Sequence, residues 1–184
     1  MKVFHSAALL CCSVVLSGCF SHSMMRTQQH FGVEGWIAGA ATEGHLDVVV
    51  YGTDDHMLKK SIVQAMDGHH EGPPVPMRLL DKDPQKGTRI VVILDHGHDV
   101  YSSYACDLPK EGIDFDKGPA TRAALTFCYD DTEYGFVSAT SLQGKLMAGS
   151  APFDDFYRNA TYYLANPYYE ETYNSSDCEL GSAC

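Results

Sequence analysis

Apolar residues in this chain come in short runs divided by polar turns, and the period of each run predicts its element. Val3 to Leu16 are apolar except for His5, Ser6 and Ser13, a stretch too short for a roughly 30 Å hydrocarbon core. Residues 20–33 have no sustained period and read as a polar tether. Trp36-Ile37-Ala38 predicts a short strand. His45 to Tyr51 predicts a firmer one, because Val48-Val49-Val50 is β-branched throughout and Gly52 closes it. Thr53, Asp54 and Asp55 offer capping oxygens to a helix reaching Met66. Its Leu58, Ile62, Ala65 and Met66 share one face, and Asp67-Gly68 stops it.

The loop HHEGPPVP follows, rich in glycine and proline, and Met77 to Leu80 predicts a brief edge strand. Arg89 to Asp95 carries Ile90-Val91-Val92-Ile93-Leu94, apolar on both faces, as expected of a central strand. Residues 99–119 look irregular. Thr121 to Tyr129 and Tyr134 to Thr140 predict a hairpin turning at Asp130-Asp131-Thr132. Pro152 opens a last helix, striped by Phe153, Phe156, Tyr157, Ala160, Tyr163 and Leu164 and ended by Asn166-Pro167.

Consecutive strands after a single early helix break any regular βα alternation. The expected fold is therefore α+β: a small antiparallel or mixed sheet with two helices packed on one face. The expected domain spans 34–166, with a tether at 19–33 and an acidic, Tyr-rich tail at 167–184.

Charge narrows the partners. The chain is formally −11, and losing residues 1–18 takes Lys2 with it and leaves −12. Nucleic acids and anionic lipid surfaces both need basic patches, so no nucleic-acid partner and no electrostatic attachment to anionic lipid is expected.

The first nineteen residues have the layout of an export signal: Lys2, the apolar run, then Leu16-Ser17-Gly18-Cys19. This ending resembles the lipobox of bacterial lipoproteins. The resemblance implies a signal peptide at 1–18, cleavage before Cys19 and acylation of its thiol (a diacylglyceryl group, then usually a palmitate-like chain on the new amine). Phe20 follows where Asp would favour the inner membrane, so the implied address is the outer membrane, facing the periplasm.

With Cys11 and Cys12 in the signal and Cys19 acylated, Cys106, Cys128, Cys178 and Cys184 remain. An even count in an oxidising compartment suggests two disulfides, and three pairings are open. Cys106–Cys128 and Cys178–Cys184 join sequence neighbours and are preferred; no CxxC spacing supports zinc among the cysteines. A second resemblance covers about half the chain. LTFCYDDTEYGFVSATS and FDDFYRNATYYLANP are similar to a pattern in uncharacterised exported proteobacterial proteins, with a cysteine after an apolar strand, a Phe-Cys strand, a hairpin and a closing helix. It supports the 106–128 pairing and implies no activity.

The sharpest chemical candidate is Asp95-His96-Gly97-His98-Asp99, at the end of the buried strand. His96 and His98 can turn toward one ion such as zinc, with Asp95 or Asp99 as ligand or orienting group. The segment resembles the HxH element of metallo-hydrolases, but Val100-Tyr101 stand where that family completes its motif. A polar loop of turn-forming residues is the preferred explanation. Gly52-Thr53-Asp54-Asp55 occupies the place of a phosphate loop without its glycines or lysine, and its carboxylates repel phosphate. No GxSxG, SxxK or HExxH is present. Tyr162, Tyr163, Tyr168, Tyr169 and Tyr173 offer contact area of the kind common at protein interfaces.

Three functional classes follow. The preferred one is a lipid-anchored, non-enzymatic accessory of the bacterial envelope, meeting the membrane through its lipid and envelope proteins through the Tyr-rich end. The second is a metal-dependent periplasmic hydrolase using residues 95–99. The third is a structural envelope protein with no ligand.

Overall fold

Six strands in the order β1-β6-β5-β4-β2-β3 form one sheet in the computed structural model. The structure describes residues 23–29, 32–95, 105–107 and 121–166. In chain order these give β1 (Ser23–Gln29), α1 (Val33–Glu43), β2 (Leu46–Tyr51), α2 (His56–Met66), β3 (Met77–Leu80), β4 (Thr88–Leu94), β5 (Arg122–Tyr129), β6 (Thr132–Ser141) and α3 (Ala151–Ala165). β2 runs parallel to β3 and β4, and the other pairings are antiparallel. The fold is α+β with a mixed sheet.

β4 lies inside the sheet because both its faces are apolar. Ile90, Val92 and Leu94 join the main core, while Val91 and Ile93 join a smaller cluster on the opposite face. Val33 and Ile37 of α1, Ile62 and Met66 of α2, and Phe153, Phe156 and Leu164 of α3 all pack into the main core. One face of the sheet thus carries all the described helices.

The helix caps follow sequence. Asp55 accepts the backbone N–H groups of Met57 at 2.9 Å and Leu58 at 3.1 Å, fixing the start of α2. At its other end the Asp67 carboxylate accepts from the Met77 N–H at 2.9 Å, tying α2 to β3. Ser150 caps α3 through the Phe153 N–H, with Pro152 in the first turn.

Three expectations need correction. Trp36-Ile37-Ala38 is helical, within α1, so three helices cover the sheet and not two. Val33, Ile37 and Ala40 are buried at helical spacing, and left-handed Gly32 and Gly44 bound the element; a three-residue window showed only part of that pattern. The tether at 19–33 is overturned for most of its length. Ser23–Gln29 pairs with β6 residue for residue, from Ser23 with Ser141 to Gln29 with Gly135, and Val33 opens α1. A polar strand with no period of its own gains order from a partner far along the chain, which local patterning cannot show. The strand Ser23–Gln29 thus lies ahead of the expected domain start at 34. The tail at 167–184 lies outside the described residues, as do the signal at 1–18 and Cys19.

The hairpin is as expected apart from one irregularity. Cys128 faces Glu133 and Phe127 faces Gly135, so Tyr134 is an extra residue and β6 bulges there. Gly135 then lies under α3: a Cβ at this position would stand 3.4 Å from the Leu164 carbonyl oxygen.

Candidate functional site

Asp95 is the one member of the 95–99 candidate among the described residues; His96, His98 and Asp99 lie outside them. Its backbone is left-handed at φ 45°, its N–H donates to the Arg122 carbonyl at 3.0 Å, and its carboxylate accepts the Thr121 N–H at 3.0 Å. These contacts close the neck between β4 and β5. The buried Tyr157 hydroxyl lies near enough to feel this carboxylate. Burial first, and the Asp95 charge second, push that phenol well above its ordinary value.

The histidines among the described residues are dispersed. His45 Nε2 lies 3.6 Å from Asp47, and the more exposed His56 lies 3.9 Å from Asp81. Both ring nitrogens of His70 stand 3.3 Å from carbonyl oxygens, those of Glu71 and Val75. His69 borders a polar groove of about 320 Å³ between α2 and α3, with Ser61, Gln64, Asp154 and Arg158. Among the described residues, no group of three or more His, Cys, Asp or Glu is arranged to hold a metal ion.

The face of the sheet away from the helices holds an assembly that sequence reading missed. Arg89 is fully buried on β4, directly across from Cys128 on β5. Cys106 and Cys128 form the expected disulfide, with Cα atoms 5.5 Å apart. Arg89 Nη2 donates to the Cys106 carbonyl at 2.8 Å, and Nη1 to the Asp130 carbonyl at 2.7 Å. Nε lies 2.7 Å from Asp83 Oδ1 as an ion pair, without the alignment of a hydrogen bond. The Tyr51 hydroxyl donates to the other Asp83 oxygen at 3.1 Å; burial, and then that carboxylate, raise its phenol strongly. One cation thus collects groups from three separate segments, and Tyr51 of β2 joins through Asp83. An arginine at the head of an apolar run was the available signal. The Cys178–Cys184 pairing lies outside the described residues.

A second unforeseen feature is aromatic. Trp36 stacks on Tyr129 with ring centroids 4.1 Å apart, and Tyr134 tilts against it at 5.0 Å. The bulge carries Tyr134 to the helix side of the hairpin. Tyr129 is exposed, and Trp36 and Tyr134 are each partly open to solvent. The trio sits at the turn end of the hairpin, where Tyr129 pairs with Thr132. Sequence shows a lone tryptophan and two tyrosines flanking a turn, but only the bulge brings them together. Of the expected Tyr-rich surface, Tyr162 is exposed and meets Tyr163 edge-on at 6.1 Å on α3. Tyr168, Tyr169 and Tyr173 lie outside the described residues.

Compared with known proteins, the chain matches no family model, no curated protein and no solved structure. No helix among the described residues is long and apolar enough to cross a membrane.

Proposed function

We propose that this chain is a lipid-anchored accessory protein of the bacterial envelope that binds another envelope component and carries out no chemistry of its own. Anchoring rests on the signal layout and Leu16-Ser17-Gly18-Cys19. The observation that carries the binding role is the Trp36–Tyr129–Tyr134 trio, assembled by a bulge and left partly open to solvent at one end of the sheet. Large, stiff aromatic rings supply contact area at low entropic cost and dominate many protein interfaces. The outer membrane, facing the periplasm, is the address this reading favours.

The test is in-cell crosslinking from a photoreactive residue at Tyr129, followed by isolation from membranes. A discrete crosslinked partner, lost in a Trp36→Ala/Tyr134→Ala variant that still folds, supports the reading. Crosslinking that is diffuse and unchanged by the variant overturns it.

A further inference from the structure

The strand pairings place five chain positions at one end of the sheet: the start of β1, the end of β6, the start of β5 and the ends of β4 and β2. Ser23 pairs with Ser141, Arg122 with Thr140, Leu94 with Ala123 and Tyr51 with Ile93. The segment leaving β6 at this end is Leu142-Gln143-Gly144-Lys145-Leu146-Met147. Leu146 packs against the main core, whereas Leu142 is 57% and Met147 69% exposed. The segment is held in place by backbone bonds, from Ser141 N–H to the Thr121 carbonyl at 2.7 Å and from Ser150 N–H to the Met147 carbonyl at 3.0 Å. Two large apolar side chains are therefore presented to solvent by a fixed loop.

The same end is where the N-terminal chain arrives. Cys19 is four residues before Ser23, and an extended chain spans at most about 3.6 Å per residue, so the separation is no more than ~14 Å. An acyl group on that thiol cannot leave this end of the sheet far from the bilayer surface. The loop itself adds no negative charge to oppose such a contact. From Ser141 to Ser150 there is no carboxylate and one lysine, Lys145, in a chain that holds 24 Asp and Glu. Met57 is also exposed at this end, but Asp54 and Asp55 beside it make that corner acidic.

We propose that Leu142 and Met147 are a bilayer contact: the domain stands on the membrane on this end of its sheet, with the two side chains entering the interface beside the lipid anchor. The inference rests on the anchoring at Cys19 proposed above. It places the Trp36–Tyr129–Tyr134 trio at the far end, because β6 runs from Thr132 to Ser141 at about 3.3 Å per residue, roughly 30 Å.

Trp36, the one tryptophan of the chain, provides an internal control. The acylated protein, purified from membranes and checked by mass spectrometry, is placed in phosphatidylethanolamine/phosphatidylglycerol vesicles whose acyl chains carry bromine, a contact quencher of indole. Wild-type emission should be unaffected. In Leu142→Trp and Met147→Trp variants the added emission should be lost. Added emission that persists in acylated protein overturns the bilayer contact and leaves the anchor standing, including the case where a second copy of the chain covers the loop. Quenching of Trp36 itself overturns the upright orientation. An unmodified Cys19 removes the anchor, and this inference with it.

Discussion

Arg89 donates through Nη2 to the carbonyl oxygen of Cys106 at 2.8 Å, so one cation and one disulfide grip the same backbone. Asp83, 4% exposed at its side chain, balances that cation. Pairs buried this deeply contribute little beyond an apolar replacement, but removing one partner strands the other. Arg89→Met should therefore cost about 3–5 kcal/mol in denaturant unfolding. The Arg89→Met/Asp83→Asn double variant should lose clearly less than the sum of its two single changes, since no carboxylate is then left unpaired.

The disulfide closes a separation of 22 residues, and replacing both Cys106 and Cys128 by Ala should lower stability by about 3 kcal/mol. Both cysteines are buried. Reductant added to the native protein should leave the bond intact over times that reduce it completely in denaturant, as mass-tagging of free thiols will report.

Alkaline pH should unfold the protein through the half-buried phenol of Tyr51 and the buried phenol of Tyr157. Tyr51 and Tyr157 both have folded-state pKa values raised above the ordinary 10.0. The folded state thus favours the neutral phenol, and the unfolded chain loses its protons first. The associated stability is fully present below pH 10 and is lost as pH rises beyond it. Tyr157→Phe should flatten that decline between neutral pH and pH 11, measured by urea midpoints. A slope unchanged by the substitution would place the alkaline sensitivity elsewhere.

Removing residues 20–30 separates a strand from a tether. Loss of a tether would leave the oligomeric state and the stability of the domain unchanged. Loss of β1 strips the partner from β6, whose Val137 and Ala139 belong to the main core. An unpaired edge of that length should associate with other copies. Gel filtration with light scattering should show oligomers, and thermal unfolding should move to lower temperature.

Legibility in the sequence tracked the range of the interactions involved. β2, α2, β4, the hairpin and α3 each announce themselves locally: Val48-Val49-Val50, the Asp55 cap, the run from Ile90 to Leu94, the Asp130-Asp131 turn, the Pro152 start. The Cys106–Cys128 bond was legible from cysteine count and spacing. β1 was not, because Ser23–Gln29 is mostly polar and takes its strand pairing from β6, far along the chain. α1 was misread because Trp36-Ile37-Ala38 suits a strand, and only Val33 and Ala40 on either side reveal the helical period. The candidate surfaces were hidden for the same reason. Arg89 acquires its partners from Asp83, Cys106 and Asp130, and Trp36 meets its tyrosines only through the bulge at Tyr134. Sequence offers Asp95 as a ligand; in the fold its carboxylate fixes the neck of β4 and β5 by accepting from Thr121.

The pairing of Ser23 with Ser141 also sets an order of events in folding. The strand made first has no place in the sheet until β6 has been made, almost at the end of the domain. Loop closure over such a distance is slow. The N-terminal strand of the domain therefore cannot take its place before β6 is available to pair with it. The sheet is finished by its beginning.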